Sequence, residues 1–346
     1  MSEQYVETVI IGAGPVGLFQ IFELGLLGIR AHIIDSLSLP GGQCTELYPE
    51  KPIYDIPALP VCGAQELIDR LLEQVKPFNA TFHLGQEVTG LRVLDNGKFH
   101  VATSTGTRLT AGAVVIAAGV GSFQPRRLSI PGAEEIEGKY IHYRVKSAGD
   151  FFDQDLMICG GGDSALDWTV ALCDKARSLT LVHRRAEFRA APATVARMRE
   201  LVAAGKMQLL EGNAVGIHKD REKLTGIDVQ SADGQTRRVP VDHVFAFFGL
   251  HPKLGPIAEW GLELEKRALK VDTEKFQTSV PGIFAIGDIN TYPGKKKLIL
   301  SGFHEAALAA FAIQHHLFPE KRQFLQYTTT SPIMQKRLGV AGADSA

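Results

Sequence analysis

The stretch Val6–Asp35, VETVIIGAGPVGLFQIFELGLLGIRAHIID, decides the fold of this chain. A β-branched run leads into the glycines of Gly12–Gly17, and a helix-like segment and a second apolar strand follow. This is G-x-G-x-x-G between a strand and a helix, where glycines permit a tight turn and let a pyrophosphate approach the helix N-terminus. Asp35 closes the second strand, so the whole stretch predicts a dinucleotide-binding unit.

The same pattern recurs in Asp155–Arg185, DLMICGGGDSALDWTVALCDKARSLTLVHRR. An apolar strand precedes Gly160–Ala165, a helix-like segment follows, and a further apolar strand ends at Val182. Alanine is allowed as the third small residue of the motif. When the two glycine motifs are aligned, His183 takes the place of Asp35, and we expect the two units to share one geometry.

The residues at this shared position predict different ligands. An acid such as Asp35 accepts hydrogen bonds from a ribose 2′-hydroxyl and repels a 2′-phosphate, so the first unit suits FAD or NAD. The second unit carries a basic run in HRRAEFR, and guanidinium groups bind phosphate through charge-assisted bonds. This run predicts NADPH rather than NADH, a solvated basic turn being the alternative. Its cationic residues are His183, Arg184, Arg185 and Arg189.

Two similar segments bracket the second unit. One is the buried strand Val114–Ala117 followed by Ala118-Gly119, and the other is the apolar run that leads to Gly249. We expect the chain to leave one domain and return to it through these segments, which also serve as hinges. The predicted fold class is α/β with two Rossmann-like, three-layer ββα domains. Residues 1–117 and 247–346 form an FAD domain, into which an NADPH domain of residues 118–246 is inserted.

Three further features of the first domain are typical of flavin binding. Asp288 follows an apolar strand and precedes an Ala-rich helix, where an acid can bond a ribityl hydroxyl. Gly41–Gln43 offers close backbone approach and a side-chain amide. Tyr48 and Tyr54 are aromatic residues that can stack on a flavin ring.

Composition excludes several classes of protein. The chain has 346 residues, 45% of them hydrophobic, and a formal net charge of −1, which gives no sign of bulk nucleic-acid or membrane-surface binding. We expect no signal peptide, because the first residues are acidic and lack a basic n-region with a small-residue cleavage site. We expect no membrane span, because the longest apolar run is interrupted by Gln20 and Glu23. The four cysteines have no metal-ligand spacing, so we expect reduced thiols, no metal site and a cytoplasmic protein.

Five ordered motifs, GAGPVG, GGQ, GGGDSA, HRRAEFRA and FAIGDI, resemble those of the thioredoxin reductase group of flavoproteins. Dithiol reductases of that group carry C-x-x-C just ahead of the second glycine-rich strand. Here HYRVKSAGDFFDQDLMICGGG contains no cysteine pair, and Cys159 lies within the strand. A flavin-to-disulfide relay needs two neighbouring cysteines, so we expect no thioredoxin reduction and direct transfer of electrons from the flavin.

Within the group, LYPEKPIYDIP, FQPRRL, GGGDSALDW and YTTTSPIMQKRLGV are similar to the thioredoxin-reductase-like ferredoxin–NADP⁺ reductases. The resemblance implies a homodimer, bound FAD, NADPH as the hydride donor, and a ferredoxin or flavodoxin as the one-electron partner. It also implies that Tyr48 stacks on the flavin, that no acid–base residue is needed, and that Val88 acts beside the adenine through its backbone. The FAD site is expected to consist of Gly12, Gly14, Pro15, Gly17, Asp35, Gly42, Gln43, Tyr48, Val88, Phe123, Asp288 and Thr329.

The NADPH site is expected to consist of Gly160, Gly162, Asp163, Ser164, His183, Arg184, Arg185 and Arg189. Thr329 is chosen from the tail Tyr327–Thr330, any residue of which fits the place beside the second flavin face. Arg126-Arg127 and Lys295–Lys297 are candidate basic residues for docking an acidic ferredoxin, with solvated loops as the alternative.

Two other functions remain open from the sequence. One is an NADPH-dependent flavin reductase or diaphorase acting on a quinone or another small acceptor. The other is a flavoprotein that senses NADPH or redox state without catalysis. An intact basic run beside an intact flavin site favours turnover.

Overall fold

A computed structural model of the chain describes residues 4–121, 124–145, 147–248, 250–251, 254–321 and 325–340, with side chains omitted at 124, 125, 250 and 251. These residues fall into two compact units, Met1–Ser122 with Pro252–Ala346, and Phe123–His251. The predicted domain boundaries differ from these by five residues at each crossing. Which cofactor each unit binds remains a prediction at this point.

The strands are given in chain order. Residues 4–121 contain β1 (Gln4–Ile11), β2 (Ala31–Ile34), β3 (Pro52–Ile53), β4 (Cys62–Gly63), β5 (Thr81–His83), β6 (Val88–Val93), β7 (Phe99–Thr103) and β8 (Arg108–Ile116). Residues 124–251 contain β9 (Gln124–Pro125), β10 (Ile141–His142), β11 (Asp155–Gly160), β12 (Ser178–His183), β13 (Gln208–Glu211), β14 (Asn213–Asp220), β15 (Lys223–Gln230), β16 (Thr236–Val239), β17 (His243–Phe247) and β18 (Leu250–His251). Residues 254–340 contain β19 (Leu264–Glu265), β20 (Ala268–Lys270), β21 (Ile283–Ala285) and β22 (Asn290–Thr291).

The described residues contain seven α-helices. They are α1 (Pro15–Leu26), α2 (Gln43–Glu46), α3 (Ala64–Val75), α4 (Asp163–Cys173), α5 (Pro192–Ala203), α6 (Ile299–Leu317) and α7 (Pro332–Leu338). Short 3₁₀ turns occur at Lys76–Phe78, Ala148–Phe151, Gly255–Glu259 and Gly287–Ile289.

The first unit is built on a seven-stranded sheet with the order β5-β2-β1-β8-β7-β6, in which β21 also pairs with β8. The strands β5, β2, β1, β8 and β21 are parallel, whereas β7 and β6 continue the sheet antiparallel. Strand β1 is apolar on both faces at Val9–Ile11, all of which are buried, as expected of a strand covered on both sides. Helix α1 packs against both α3 and α6.

The second unit has three layers. A parallel five-stranded sheet has the order β10-β17-β11-β12-β13, and a separate antiparallel sheet has the order β14-β15-β16. Along β11, Leu156 and Ile158 belong to the core that includes helices α4 and α5. The alternate residues Met157 and Cys159 belong to the core shared with the antiparallel sheet. The period of two in a strand therefore places β11 between a helical layer and a β layer.

The predicted segments and the observed elements differ mainly at their ends. Strand β2 ends at Ile34, one residue before the predicted end at Asp35, and β8 ends at Ile116 rather than Ala117. At the edge of the second unit, β9 and β18 pair antiparallel, so the entering and leaving segments lie side by side. Gly249, one of the two predicted hinge residues, lies outside the described residues.

Candidate functional site

Asp35 and His183 occupy equivalent positions at the ends of β2 and β12. In the first unit Ile11, which precedes the first glycine, pairs with Ile34, which precedes Asp35. In the second unit Cys159, which precedes Gly160, pairs with Val182, which precedes His183. Since both strand pairs are parallel and share one register, the two side chains start from the same place relative to their glycine loops. The alignment of the two motifs made in the sequence agrees with this register.

Both glycine loops pass close under the neighbouring strand. A Cβ atom on Gly12 would lie 2.4 Å from the carbonyl oxygen of Ala117, and one on Gly160 would lie 2.5 Å from that of Phe247. Gly12 also has a φ of 108°, which side chains rarely adopt. These two positions therefore require glycine, and the close approach fixes where each loop emerges from its sheet.

The helices that follow the loops begin without a capping side chain. Gly14 and Gly162 are the N-cap residues of α1 and α4, and neither helix receives a side-chain capping bond from the described residues. A Cβ atom on either glycine would meet no described atom within 4 Å. The first-turn N–H groups and the space in front of them are thus open to an anion, as a pyrophosphate site requires.

Asp35 is bound to the first glycine loop. Its carboxylate accepts hydrogen bonds from the backbone N–H of Ala13 at 2.6 Å and of Leu37 at 2.8 Å. Burial raises the pKa of Asp35, and these two backbone bonds act in the opposite direction. The carboxylate thus lies beside the loop that would hold a pyrophosphate, where its acceptor oxygens can also meet a ribose hydroxyl.

The segment Gly41–Gln43 lies against the same loop. The N–H of Gly41 donates to the carbonyl oxygen of Ala13 at 2.8 Å. A Cβ atom on Gly119, which follows β8, would lie 3.6 Å from the Gln43 side-chain nitrogen. The segment therefore brings an amide to the mouth of the glycine loop.

Tyr48 and Tyr54 differ in their surroundings. Tyr48 packs against the core of the first unit, with its hydroxyl 3.9 Å from the Cys44 sulfur, whereas Tyr54 is 70% exposed. Burial, the Cys44 thiol and the Asp288 carboxylate all raise the pKa of the Tyr48 hydroxyl. Tyr48 is accordingly a neutral aromatic side chain close to Asp288, which makes it the better placed of the two for stacking.

A buried acid that the sequence analysis missed organises the turn at Gly287–Ile289. Glu305 lies on α6 and its side chain is fully buried. Its carboxylate accepts from four donors: Gly287 N at 2.7 Å, Asn290 Nδ2 at 2.9 Å, Tyr292 Oη at 2.9 Å, and Lys295 Nζ. A lone acid in the apolar helix sequence GFHEAALAA was the available signal, because an acid on a buried helix face needs partners.

The docking hypothesis for Lys295 is wrong. Lys295 is buried, paired with Glu305, and donates to the carbonyl oxygen of Gly287 at 2.8 Å. Its neighbours Lys296 and Lys297 are exposed. Burial raises the pKa of Asp288, while Lys297 and Lys295 lower it. The basic run thus divides into one structural lysine and two that reach solvent.

His183 contacts the second glycine loop directly. A Cβ atom on Gly161 would lie 2.2 Å from the imidazole Cε1, and the ring nitrogen Nε2 lies 3.0 Å from the carbonyl oxygen of Glu187. The Phe188 ring packs beside the imidazole, with ring centroids 4.9 Å apart. The N–H of Arg189 donates to the carbonyl oxygen of Gly161 at 2.8 Å. The basic loop and the glycine loop are thereby joined.

Three arginines surround this junction. Arg184, Arg185 and Arg189 are exposed, and within the described part of the chain no carboxylate pairs with any of them. Asp163, in the first turn of α4, accepts a hydrogen bond from Ala191 N at 2.9 Å, and Ser164 beside it is exposed. The arrangement presents free guanidinium groups at the end of β12, as binding of a phosphate requires.

The four cysteines Cys44, Cys62, Cys159 and Cys173 are free and buried. Burial raises the pKa of Cys44 to about 11 and that of Cys159 to about 12. Thiols of this kind are protonated at neutral pH and poor nucleophiles, unlike the low-pKa thiols of disulfide oxidoreductases.

The remaining predicted residues are distributed as follows. Val88 is buried at the start of β6, close to Gln86, whose N–H donates to the Asp35 carbonyl oxygen at 2.9 Å. Phe123 lies outside the described residues. Thr329 is exposed in the turn that precedes α7, and its carbonyl oxygen accepts a bond from Gln335 Nε2 at 3.1 Å. Which tail residue faces a flavin remains a prediction.

Among the residues that the structure describes, no group of three or more histidine, cysteine or acidic side chains is placed to hold a metal ion. No described helix has the length and apolar character that a membrane crossing requires.

Comparisons with known proteins agree on one family. The model of the family described as pyridine nucleotide-disulphide oxidoreductase matches residues 6–313. Ferredoxin–NADP reductase 2 of Cupriavidus metallidurans is 61% identical over 97% of this chain and 91% of its own length. Ferredoxin–NADP reductase of Methylibium petroleiphilum is 60% identical over 96% of this chain and 92% of its own length.

Two solved structures share the fold. The thioredoxin reductase of Lactococcus lactis has a TM-score of 0.76 at 23% identity, covering 91% of this chain and 99% of its own. The thioredoxin reductase of T. acidophilum has a TM-score of 0.76 at 22% identity, covering 90% and 98%. The predicted α/β fold with two dinucleotide-binding units is confirmed.

Proposed function

This chain belongs to the pyridine nucleotide-disulphide oxidoreductase family, and on that premise we propose that it is a ferredoxin–NADP reductase that uses FAD. It transfers electrons between NADPH, which gives up two as a hydride, and ferredoxin, which takes one at a time. When bound, FAD supplies this chemistry, because it exchanges electrons in pairs or singly. The curated relatives of about 60% identity support the assignment.

The observation that carries the proposal is the contrast between Asp35 and the arginines at the equivalent end of β12. Asp35 is bound to its glycine loop as an acceptor, while Arg184 and Arg185 are exposed and unpaired within the described residues. One site therefore suits a cofactor with a free ribose hydroxyl, and the other a cofactor with a 2′-phosphate. That pairing is FAD in the first unit and NADPH in the second.

The FAD site of this proposal fits the first unit. The uncapped α1 N-terminus receives the pyrophosphate, Asp35 accepts from the ribose, Asp288 accepts from the ribityl chain, and Tyr48 stacks on the ring. The proposed FAD residues are Gly12, Gly14, Pro15, Gly17, Asp35, Gly42, Gln43, Tyr48, Val88, Phe123, Asp288 and Thr329. The proposed NADPH residues are Gly160, Gly162, Asp163, Ser164, His183, Arg184, Arg185 and Arg189.

The protein's own part in the reaction is binding and orientation. Tyr48 presents an aromatic face, and its raised pKa keeps the hydroxyl protonated. It therefore shields a stacked ring without exchanging protons. Glu305 and Lys295 fix the turn that carries Asp288. No residue is assigned as an acid or base, because a bound flavin would supply the electron-transfer chemistry itself.

The proposal extends to the redox partner and the oligomeric state. Ferredoxin is the proposed electron carrier, and flavodoxin is the alternative one-electron carrier. A homodimer is supported by the exposed apolar side chains of the C-terminal segment, Leu325, Tyr327 and Ile333, which are 54% to 67% exposed. The four free thiols support a reducing compartment such as the cytoplasm.

The test is a pair of absorbance measurements on the FAD-loaded protein under anaerobic conditions. NADPH is expected to bleach the flavin band within seconds, and added oxidised ferredoxin to restore it. If NADPH leaves the flavin oxidised, the enzyme assignment fails. If bleaching occurs and a quinone restores the band but ferredoxin does not, the acceptor is a small molecule instead.

A further inference from the structure

We propose that His183 is a positioning residue that fixes the basic loop Arg184–Arg189 to the glycine loop Gly160–Gly162, rather than a cationic ligand of the 2′-phosphate. This deepens the proposed function, since it rests on NADPH binding in the second unit. Three contacts hold the imidazole: the Gly161 backbone below it, Phe188 beside it, and the Glu187 carbonyl at one ring nitrogen.

The hydrogen bond to Glu187 decides which ring nitrogen carries the proton. A carbonyl oxygen only accepts, so Nε2, at 3.0 Å, is the donor. The Nε2 proton is therefore committed to the Glu187 carbonyl oxygen and does not reach a phosphate. The exposed cations that can meet the phosphate are Arg184, Arg185 and Arg189.

Gly161 lies directly against the His183 ring. In G-x-G-x-x-G the residue between the first two glycines is free to vary, and in the first unit it is Ala13. At Gly161 a methyl group would lie 2.2 Å from the ring carbon and 2.4 Å from Nε2 of His183. The imidazole in its observed position, rather than the backbone turn, therefore leaves no room for a side chain at Gly161.

The His183 ring joins two parts of one ligand site, the basic loop and the glycine loop. The bond to Glu187 holds the middle of the basic loop, and Arg189 N bonds the Gly161 carbonyl oxygen at 2.8 Å. Gly212 N donates to the His183 carbonyl oxygen at 2.9 Å and anchors the residue from the adjacent strand. Displacing the ring moves the arginines relative to the pyrophosphate loop, so one substitution affects both parts of the nucleotide.

The analogous contact in the first unit supports this assignment. There Asp35 accepts from Ala13 N at 2.6 Å, which ties the end of β2 to the same position of the glycine loop. In both units the residue at the carboxyl end of the second strand contacts the residue between the two glycines. The first unit uses a carboxylate and a backbone N–H, and the second unit uses an imidazole and a glycine.

The test is a double-mutant cycle on the full FAD-loaded chain, with adenosine 2′,5′-bisphosphate as the probe and calorimetry as the readout. Gly161→Ala is expected to weaken binding about tenfold, a loss comparable to that of one charge-assisted contact. His183→Ala is expected to weaken it by a similar factor. In Gly161→Ala/His183→Ala the methyl finds the space left by the ring, so the double variant is expected to bind no worse than His183→Ala.

A conservative variant separates positioning from charge. His183→Gln keeps an N–H that can reach the Glu187 carbonyl oxygen but never carries a positive charge. We expect it to retain most of the probe affinity and the salt dependence of the wild type. Gly149→Ala is the matched glycine control in the same unit, because its methyl would meet only the Ser147 hydroxyl at 3.7 Å; it is expected to bind normally.

Two outcomes overturn the proposal. One is multiplicative losses in the double variant, which would show that Gly161 and His183 act independently. The other is a loss in His183→Gln as large as in His183→Ala, which would show that the charge is what matters. Failure of the underlying function gives a different result: wild-type protein would bind 5′-AMP as tightly as the 2′,5′-bisphosphate.

Discussion

Lys295 and Glu305 form an ion pair in the interior of the first unit, with side chains that are 7% and 0% exposed. Glu305 also accepts from Gly287 N and Asn290 Nδ2. The pair therefore fixes the turn that carries Asp288. Removing one partner leaves a buried charge without compensation, which is strongly destabilising.

Glu305→Gln is expected to lower the free energy of unfolding by about 3–5 kcal/mol, because Lys295 loses its counter-ion in the interior. FAD is expected to be released at a lower temperature, which flavin fluorescence on heating reports. The matched control is Glu263→Gln, which breaks the exposed pair with Lys270 and should leave the unfolding midpoint close to that of wild type, because exposed ion pairs contribute little to stability. Equal unfolding midpoints for Glu305→Gln and wild type would contradict the structural role.

The burial of Lys295 could not be predicted from the sequence of its basic run. Positions 295 to 297 are all lysine, yet only the side chain of Lys295 is buried. Its partner lies ten residues further on, on a different element. Local sequence gives no distance between side chains that tertiary folding brings together, so the lone acid in an apolar helix was the available clue.

The equivalent positions of Asp35 and His183 could be predicted from the sequence. Parallel strands, a tight glycine turn and a helix fix the register of a βαβ unit within one residue. Aligning two such units therefore predicts which residues share a position. It does not predict that His183 binds Glu187, because the course of the following loop depends on Phe188 packing and on the bond from Arg189 to Gly161.

Arg184→Ala combined with Arg185→Ala is expected to weaken NADPH binding far more than NADH binding. Each charged hydrogen-bonded contact contributes about 1.5–3 kcal/mol, which is roughly one to two orders of magnitude in affinity. The measurement is kcat/KM with each nucleotide in flavin reduction. An unchanged NADPH-to-NADH preference in the double variant would rule out the 2′-phosphate assignment.

Acid is expected to destabilise the second unit through His142. Burial, with His243 at 3.1 Å, lowers the pKa of His142 from 6.5 to about 4. The unfolded chain therefore takes up a proton that the folded protein does not, and stability falls as the pH drops below about 6.5. Allowing for the partial exposure of the ring, the loss between pH 7 and pH 5 is about 1 kcal/mol.

The measurement uses urea unfolding followed by the fluorescence of Trp168, with Trp260→Phe removing the second of the two tryptophans. His142→Gln is expected to flatten the pH dependence. His315→Gln, at an exposed position in the other unit, should leave the profile unchanged. Stability that is constant from pH 7 to pH 5 in the Trp260→Phe protein would refute the assignment.

Reduction of thioredoxin is expected to stay near background. The four cysteines are buried and free, and burial raises the pKa of Cys44 and Cys159 well above neutral pH. A dithiol relay needs an accessible thiolate next to a second cysteine. The assay is DTNB reduction by NADPH with added thioredoxin, and the same preparation assayed with ferredoxin is the positive control. Robust thioredoxin-dependent turnover would contradict direct transfer from the flavin.

Lys296 and Lys297 are expected to guide ferredoxin to the flavin site. Both are exposed, Lys297 lies close enough to Asp288 to lower its pKa, and the neighbouring Leu298 and Leu300 are each 44% exposed. Exposed cations steer an acidic partner, and the two leucines offer it an apolar contact. Lys296→Glu/Lys297→Glu should therefore lower kcat/KM for ferredoxin about tenfold at low salt, with a smaller effect at high salt.

Ferricyanide reduction with NADPH separates docking from flavin chemistry, because it needs no protein partner. It should remain within about twofold of wild type in the lysine variant, since steering of a protein partner is a rate effect on association alone. Lys266→Glu/Arg267→Glu makes the same charge change at another exposed pair of the first unit, and should leave ferredoxin kinetics unaffected. If both double variants slow ferredoxin equally, net charge rather than a local face governs the encounter.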